Sequence, residues 1–210
     1  MRSLVSLVLL SAVASSLGGD AYSSQRRELA ARIIGGSDVA PNTYPFFAFV
    51  LVDTEDGSVP CGGSLIHTDI ILTAASCILS ETIEVAVNLT NFDASEGSYS
   101  RSIAQVLVHP EFNIELLEND IALLKLEGGI PEITPAVYNR MTGTPVEGNS
   151  VTVVGFGSLT EEDNNFPRVL QQVEVEVQNF DTCNIAYEGM LDPNRQLCGG
   201  VQEGGKVRIV

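Results

Sequence analysis

The sequence predicts an all-β protein: one six-stranded barrel followed by a shorter unit of three strands. Three observations carry that prediction. Runs of four to nine residues rich in Val, Ile, Leu, Phe and Thr recur from residue 44 onward. The segments between them hold Gly, Pro, Asn and Asp, the residues that turn a chain back on itself. No window shows the sustained 3.6-residue periodicity of a long amphipathic helix.

The first run, 44–51, contains Phe46, Phe47 and Phe49, whose bulk suits a pleated surface. Shorter runs follow at 63–66, 70–74, 82–87, 103–108 and 120–126, each bounded by turn residues. Gly128-Gly129 and the stretch from Pro131 to Pro145 show little periodicity and read as a linker. Beyond it come 151–155, then 169–177, where Val173, Val175 and Val177 alternate with Gln172, Glu174 and Glu176, and finally 195–199. Six strands close a small barrel without a free edge, whereas three leave unpaired backbone groups.

The N-terminal segment is of another kind. Met1 and Arg2 precede an apolar run at 4–14 that ends in small residues, the pattern of a secretory signal. The cut falls either after Ala14 or at 19–21, so residues 1–20 are assigned to the signal. The polar stretch at 21–32, with Arg26-Arg27 and a lone Arg32 before Ile33-Ile34-Gly35-Gly36, reads as a propeptide. The remaining 33–210 divide into a first barrel at 33–135 and a second unit at 136–210. Secretion places Cys61, Cys77, Cys183 and Cys198 in an oxidising compartment, where they are expected to pair in one of three connectivities. Metal binding is the weaker reading, because no CxxC or close His spacing occurs.

Charge excludes some partners. With 11 basic against 27 acidic residues the net charge is −16, which repels phosphate backbones and anionic lipid. Four of the basic residues but only Asp20 and Glu28 of the acidic ones lie within 1–32, so the rest of the chain is more acidic still. No window reaches the roughly 18 apolar residues of a membrane-spanning helix. Neither nucleic acid nor a membrane is an expected partner, and no cofactor is implied.

Several segments together resemble the trypsin-like, chymotrypsin-fold serine endopeptidases. They are Arg32 followed by IIGG, CGGSLI at 61–66, LTAASC at 72–77, DIALLKL at 120–126, GFG at 155–157 and LCGGVQEGGK at 197–206. The resemblance implies two antiparallel six-stranded barrels, the second incomplete here, and disulfides Cys61 to Cys77 and Cys183 to Cys198. It implies activation by cleavage between Arg32 and Ile33. It also implies a protein substrate or a protein partner.

The family's reaction needs a hydroxyl nucleophile, an imidazole to take its proton, a carboxylate to orient the imidazole and donors for the oxyanion. Asp120 matches the orienting carboxylate. Where the family places its histidine, immediately before the cysteine of LTAASC, this sequence has Ser76. A neutral hydroxyl has no accessible pKa near 7 and cannot act as the base. His67 and His109, the only histidines, fall in surface-turn contexts. After Lys206 the family continues to its GDSGG nucleophile loop, while this chain reads Val207-Arg208-Ile209-Val210, so no nucleophile is assigned. The expected cause is intron read-through, since Val-Arg can be written GTA-AGR, a splice-donor sequence. The sequence therefore points to a secreted, proteolytically inactive homologue that acts by binding protein, with a genuine endopeptidase from a damaged record as the alternative. Asn88-Leu89-Thr90 is the glycosylation acceptor pattern, expected on a loop or strand end.

Overall fold

The computed structural model describes residues 33–54, 57–78, 82–139, 143, 145–160, 166–187, 189, 191–193, 196–201 and 205–209. The signal and propeptide readings, and Arg32 with them, lie outside the described residues.

The first sheet has seven strands. They are β2 (Phe47–Thr54), β3 (Gly57–His67), β4 (Ile70–Thr73), β5 (Thr82–Val87), β6 (Tyr99–Arg101), β7 (Ile103–Val108) and β8 (Ala122–Leu126), after the two-residue β1 (Ser37–Asp38). The order across the sheet is β6-β5-β2-β3-β4-β8-β7, with every neighbouring pair antiparallel. The two outermost strands, β6 and β7, are consecutive in sequence, separated only by Ser102. One bent segment therefore bonds to β5 at its start and to β8 along the rest, and the sheet curls back on itself. This is the six-stranded barrel of the sequence reading, with the fifth strand split; its first half, β6, gives no sequence signal because Tyr-Ser-Arg is too short to show a pattern.

Boundaries differ from expectation: β8 begins at Ala122 rather than Asp120, β4 ends one residue early at Thr73, and the largest differences are in β2 and β3. β2 begins at Phe47 rather than Tyr44, because Tyr44 and Pro45 form a turn closed by Phe47 N–H to Tyr44 O at 2.9 Å. β3 reaches back to Gly57, since pairing with β2 runs from Thr54↔Gly57 to Phe47↔Ser64. Its Gly, Ser and Pro residues carry no strand signal of their own, and the hairpin ladder imposes the conformation.

Alternation places one face of β2, β4, β5 and β8 inside, whereas β7 is exposed beyond Ile103. Ala48, Val50 and Val52 of β2, Leu65 of β3, Ile71 of β4, Val85 and Val87 of β5, and Leu124 and Leu126 of β8 are buried together. Each Val, Leu or Ile among them contributes about 1.5–3 kcal/mol relative to exposure. Ile130 and Ile133 join this core, with no exposed surface at Ile130, so the start of the stretch read as a linker is anchored to the barrel.

The second sheet has five strands, not three. β9 (Ser150–Gly155) and β10 (Gln171–Val177) match the expectation, and β11 (Leu197–Val201) falls close to it. The additions are β1, which pairs with the start of β10, and β12 (Gly205–Ile209), which pairs with β11. Among the described residues β9 and β12 each have a strand on one side only. A short helix, α1 (Phe180–Ala186), lies outside the all-strand expectation; the Asn179 side chain caps it by accepting from Thr182 N–H.

The two sheets meet through the outward face of β2. Phe47, Leu89, Phe156, Leu170 and Val39 form a second buried cluster. Phe156 lies 5.9, 5.5 and 4.7 Å from the ring centroids of Phe47, Phe49 and Phe92.

Candidate functional site

Ser76 is held in a 3-10 turn, Ala75–Cys77, that leaves the end of β4. Two features fix it. Ala75 is fully buried, and Cys77 is bonded to Cys61 of β3 with a Cα–Cα distance of 6.2 Å. The other expected disulfide, Cys183–Cys198, is also formed and joins α1 to β11.

Asp120 arrives from a loop at 109–121 that precedes β8. The loop ties itself together: Asn113 Oδ1 accepts from the N–H groups of Glu115 and Leu116, and Asn119 Nδ2 donates to Glu111 O at 2.9 Å. Leu117 and Asn119 take left-handed backbone angles, with φ of 51° and 53°. Asparagine tolerates that region, whereas for leucine it is uncommon and is sustained here by burial of the side chain. Sequence patterning has no means of finding either residue, although both set the direction from which Asp120 enters.

The two residues meet. Asp120 is 9% exposed; its Oδ1 accepts from Ser76 N–H at 2.6 Å and its Oδ2 from Ser76 Oγ at 2.8 Å. A buried carboxylate is stable only when its oxygens are satisfied, and one serine satisfies both. The backbone half of that clamp has no signature in the sequence. The hydroxyl proton is committed to Asp120, so the pair donates and accepts internally.

The histidines are engaged elsewhere. His67, at the end of β3, lies 2.7 Å from Asp69 Oδ1 with its side chain 68% exposed. Asp69 is bonded in addition to Lys125, and the Lys125 hydrogen bond, seconded by that of His67, holds its carboxyl below the usual range. His109 Nδ1 accepts from Glu111 N–H at 3.2 Å. Neither imidazole is among the hydrogen-bond partners of Asp120.

A cleft of about 370 Å³ is lined by Tyr44, Phe46, Gly62, Gly63, Thr152 and Val154, and neither Ser76 nor Asp120 is part of its lining. Ile33 is 2% exposed, and its N–H donates to Ser158 O at 2.8 Å. Its side chain lies against Gly36, where an added Cβ would come 2.7 Å from Ile33 Cγ2. Asn88 directly follows β5 and is buried. Among the described residues no group of three or more His, Cys, Asp and Glu side chains is placed to hold a metal ion. No helix among them is long and apolar enough to cross a membrane.

The profile of the family described as Trypsin matches residues 33–209. The chain belongs to the trypsin family. Trypsin-family relatives include trypsin of Sus scrofa, 32% identical over 183 residues that cover 83% of this chain and 74% of the relative. Cathepsin G of Mus musculus is 30% identical over 175 residues, covering 81% of this chain and 66% of the relative. Trypsin theta of Drosophila melanogaster is 30% identical over 223 residues, covering 98% and 82%. Among solved structures, one described as "Structure of GrC" superimposes with a TM-score of 0.75 at 27% identity, covering 81% of this chain and 76% of the other. Neuropsin, a serine protease expressed in the limbic system of mouse brain, superimposes with a TM-score of 0.73 at 24% identity, over 84% and 82% of the two chains, and shows the fold alone.

Proposed function

We propose that this member of the trypsin family does not hydrolyse peptides and acts by binding protein. One observation carries the reading: the residue that clamps the buried Asp120 carboxylate is Ser76, in the turn where the family's reaction requires an imidazole. A hydroxyl orients nothing for proton transfer and forms no cation for the carboxylate to stabilise. Both residues belong to the first barrel and its loop, so the missing base is independent of any sequence beyond Val210. In a comparable triad, loss of the histidine alone lowers turnover by about 10⁶, roughly 8 kcal/mol of barrier.

The same proposal takes residues 1–20 as a secretory signal, 21–32 as a propeptide released after Arg32, and the mature protein as extracellular. Its partner is a protein, which suits an acidic surface without affinity for polyanions.

An acylating serine-hydrolase probe tests the reading. Applied to the natural secreted protein, it is expected to leave the chain unlabelled, because acylation requires an activated serine. Stoichiometric labelling, together with peptide-ester hydrolysis abolished by Asp120→Asn, would establish the endopeptidase alternative instead.

A further inference from the structure

The one acceptor pattern for an N-linked glycan, Asn88-Leu89-Thr90, is built into the seam between the two sheets. Asn88 is 8% exposed. Its Nδ2 donates to Gly97 O at 3.0 Å and to Asn42 Oδ1 at 3.2 Å, so both amide hydrogens are in use. The Gly97 carbonyl can only accept, which fixes Nδ2 rather than Oδ1 on that side. The backbone is committed too: Asn88 N–H donates to Phe47 O at 2.9 Å, and Asn88 and Asn42 both hold left-handed φ values, 61° and 62°. Leu89 is buried against Phe47, Phe156 and Leu170, and Thr90 O accepts from Leu170 N–H at 2.9 Å.

Attachment of an oligosaccharide forms a bond from Nδ2 to the sugar C1 and breaks the C1–O bond to a lipid diphosphate, which leaves; one Nδ2 proton is released. The product keeps a single N–H and carries a bulky, hydrated substituent on a residue that is 8% exposed. It cannot keep both hydrogen bonds, and a hydrated sugar on so enclosed a side chain requires Asn88 to turn outward. We infer that folding closes this acceptor: a glycan on Asn88 and the native packing of the Asn42, Asn88 and Gly97 turns exclude each other, so modification marks chains that have not folded. The inference stands whether or not the protein hydrolyses peptides.

The test expresses the full chain through a eukaryotic secretory route and divides it by limited proteolysis into resistant and sensitive fractions. Residue 88 is then read by peptide mass after enzymatic deglycosylation in heavy-oxygen water. The expected result is an unshifted Asn88 peptide in the resistant fraction, with any glycan confined to the sensitive one. A glycan on Asn88 in resistant protein overturns the inference. A second arm uses a host that does not glycosylate. There Asn88→Ala is expected to lower the melting midpoint by several degrees relative to Thr90→Ala, which destroys the acceptor pattern but leaves the amide in place. Equal midpoints overturn it, as does failure of both hosts to give protease-resistant protein, since closure by folding then has no folded state behind it.

Discussion

Ser76 directs two donors at one acceptor group: its N–H at Asp120 Oδ1, 2.6 Å away, and its Oγ at Asp120 Oδ2, 2.8 Å away. The arrangement makes Asp120 an anchor between the turn after β4 and the loop before β8.

That anchor makes a graded prediction. Asp120→Ala strands two buried donors, and we predict a loss of about 2 kcal/mol in chemical denaturation. Asp120→Asn costs under about 1 kcal/mol, because its carbonyl still accepts from the backbone while the Ser76 hydroxyl reverses role and accepts from the amide. Equal losses for the two variants would show that the hydroxyl does not reverse. Neither substitution is expected to change ester hydrolysis from background.

The Cys61–Cys77 bridge spans 16 residues and holds the Ser76 turn against β3. Replacing both cysteines by alanine is predicted to lower stability by about 3 kcal/mol, read as a shift in the denaturation midpoint. An unchanged midpoint would mean that the turn is held by Asp120 without the bridge.

Asp69 supplies a pH dependence whose sign is set by its partners. The Lys125 hydrogen bond and then that of His67 depress its folded pKa, so the contribution is complete above the unfolded carboxylate value of about 4 and is lost as pH falls through the lower folded value. We predict that between pH 5 and about 2 the melting midpoint falls less steeply in Asp69→Asn than in the parent. Parallel curves would remove Asp69 from the acid transition.

Phe156 is 5% exposed and touches three aromatic rings across the seam. Phe156→Ala is predicted to cost about 3–5 kcal/mol by leaving a cavity that the paired ladders of β2 and β10 cannot collapse into. A conservative Phe156→Leu is expected to recover most of the loss. A substitution to alanine costing under about 1 kcal/mol would mean that the two sheets are held together elsewhere.

Much of the first barrel is legible in the sequence because its strands alternate. Ile71, Val85, Val87, Leu124 and Leu126 all fall inside by the period of two, and the core they form is the reason those runs exist. Elements without that signal escape a sequence reading for a physical cause. β6 and the first half of β3 are strands because a neighbour's backbone pairs with them, and β1 and β12 likewise exist only as partners of β10 and β11. α1 depends on a cap and a disulfide rather than on an amphipathic face. Ile130 and Ile133 resemble linker residues because two apolar side chains in an irregular segment show no period.

The amino-acid order by itself determined which side chains are available: an aspartate in DIALLKL, a serine before Cys77, four cysteines and one acceptor pattern at Asn88. Identity of residue type is a local property. Tertiary structure alone decided what each of them meets. Ser76 and Asp120 are 44 positions apart and Asn88 and Asn42 are 46 apart, and only the pairing of β4 with β8 and of β2 with β5 brings their atoms to hydrogen-bond distance. Hydrogen bonds act over about 3 Å and carry no trace along the chain, which is why the same serine reads as a lost base in the sequence and as a two-point clamp in the fold.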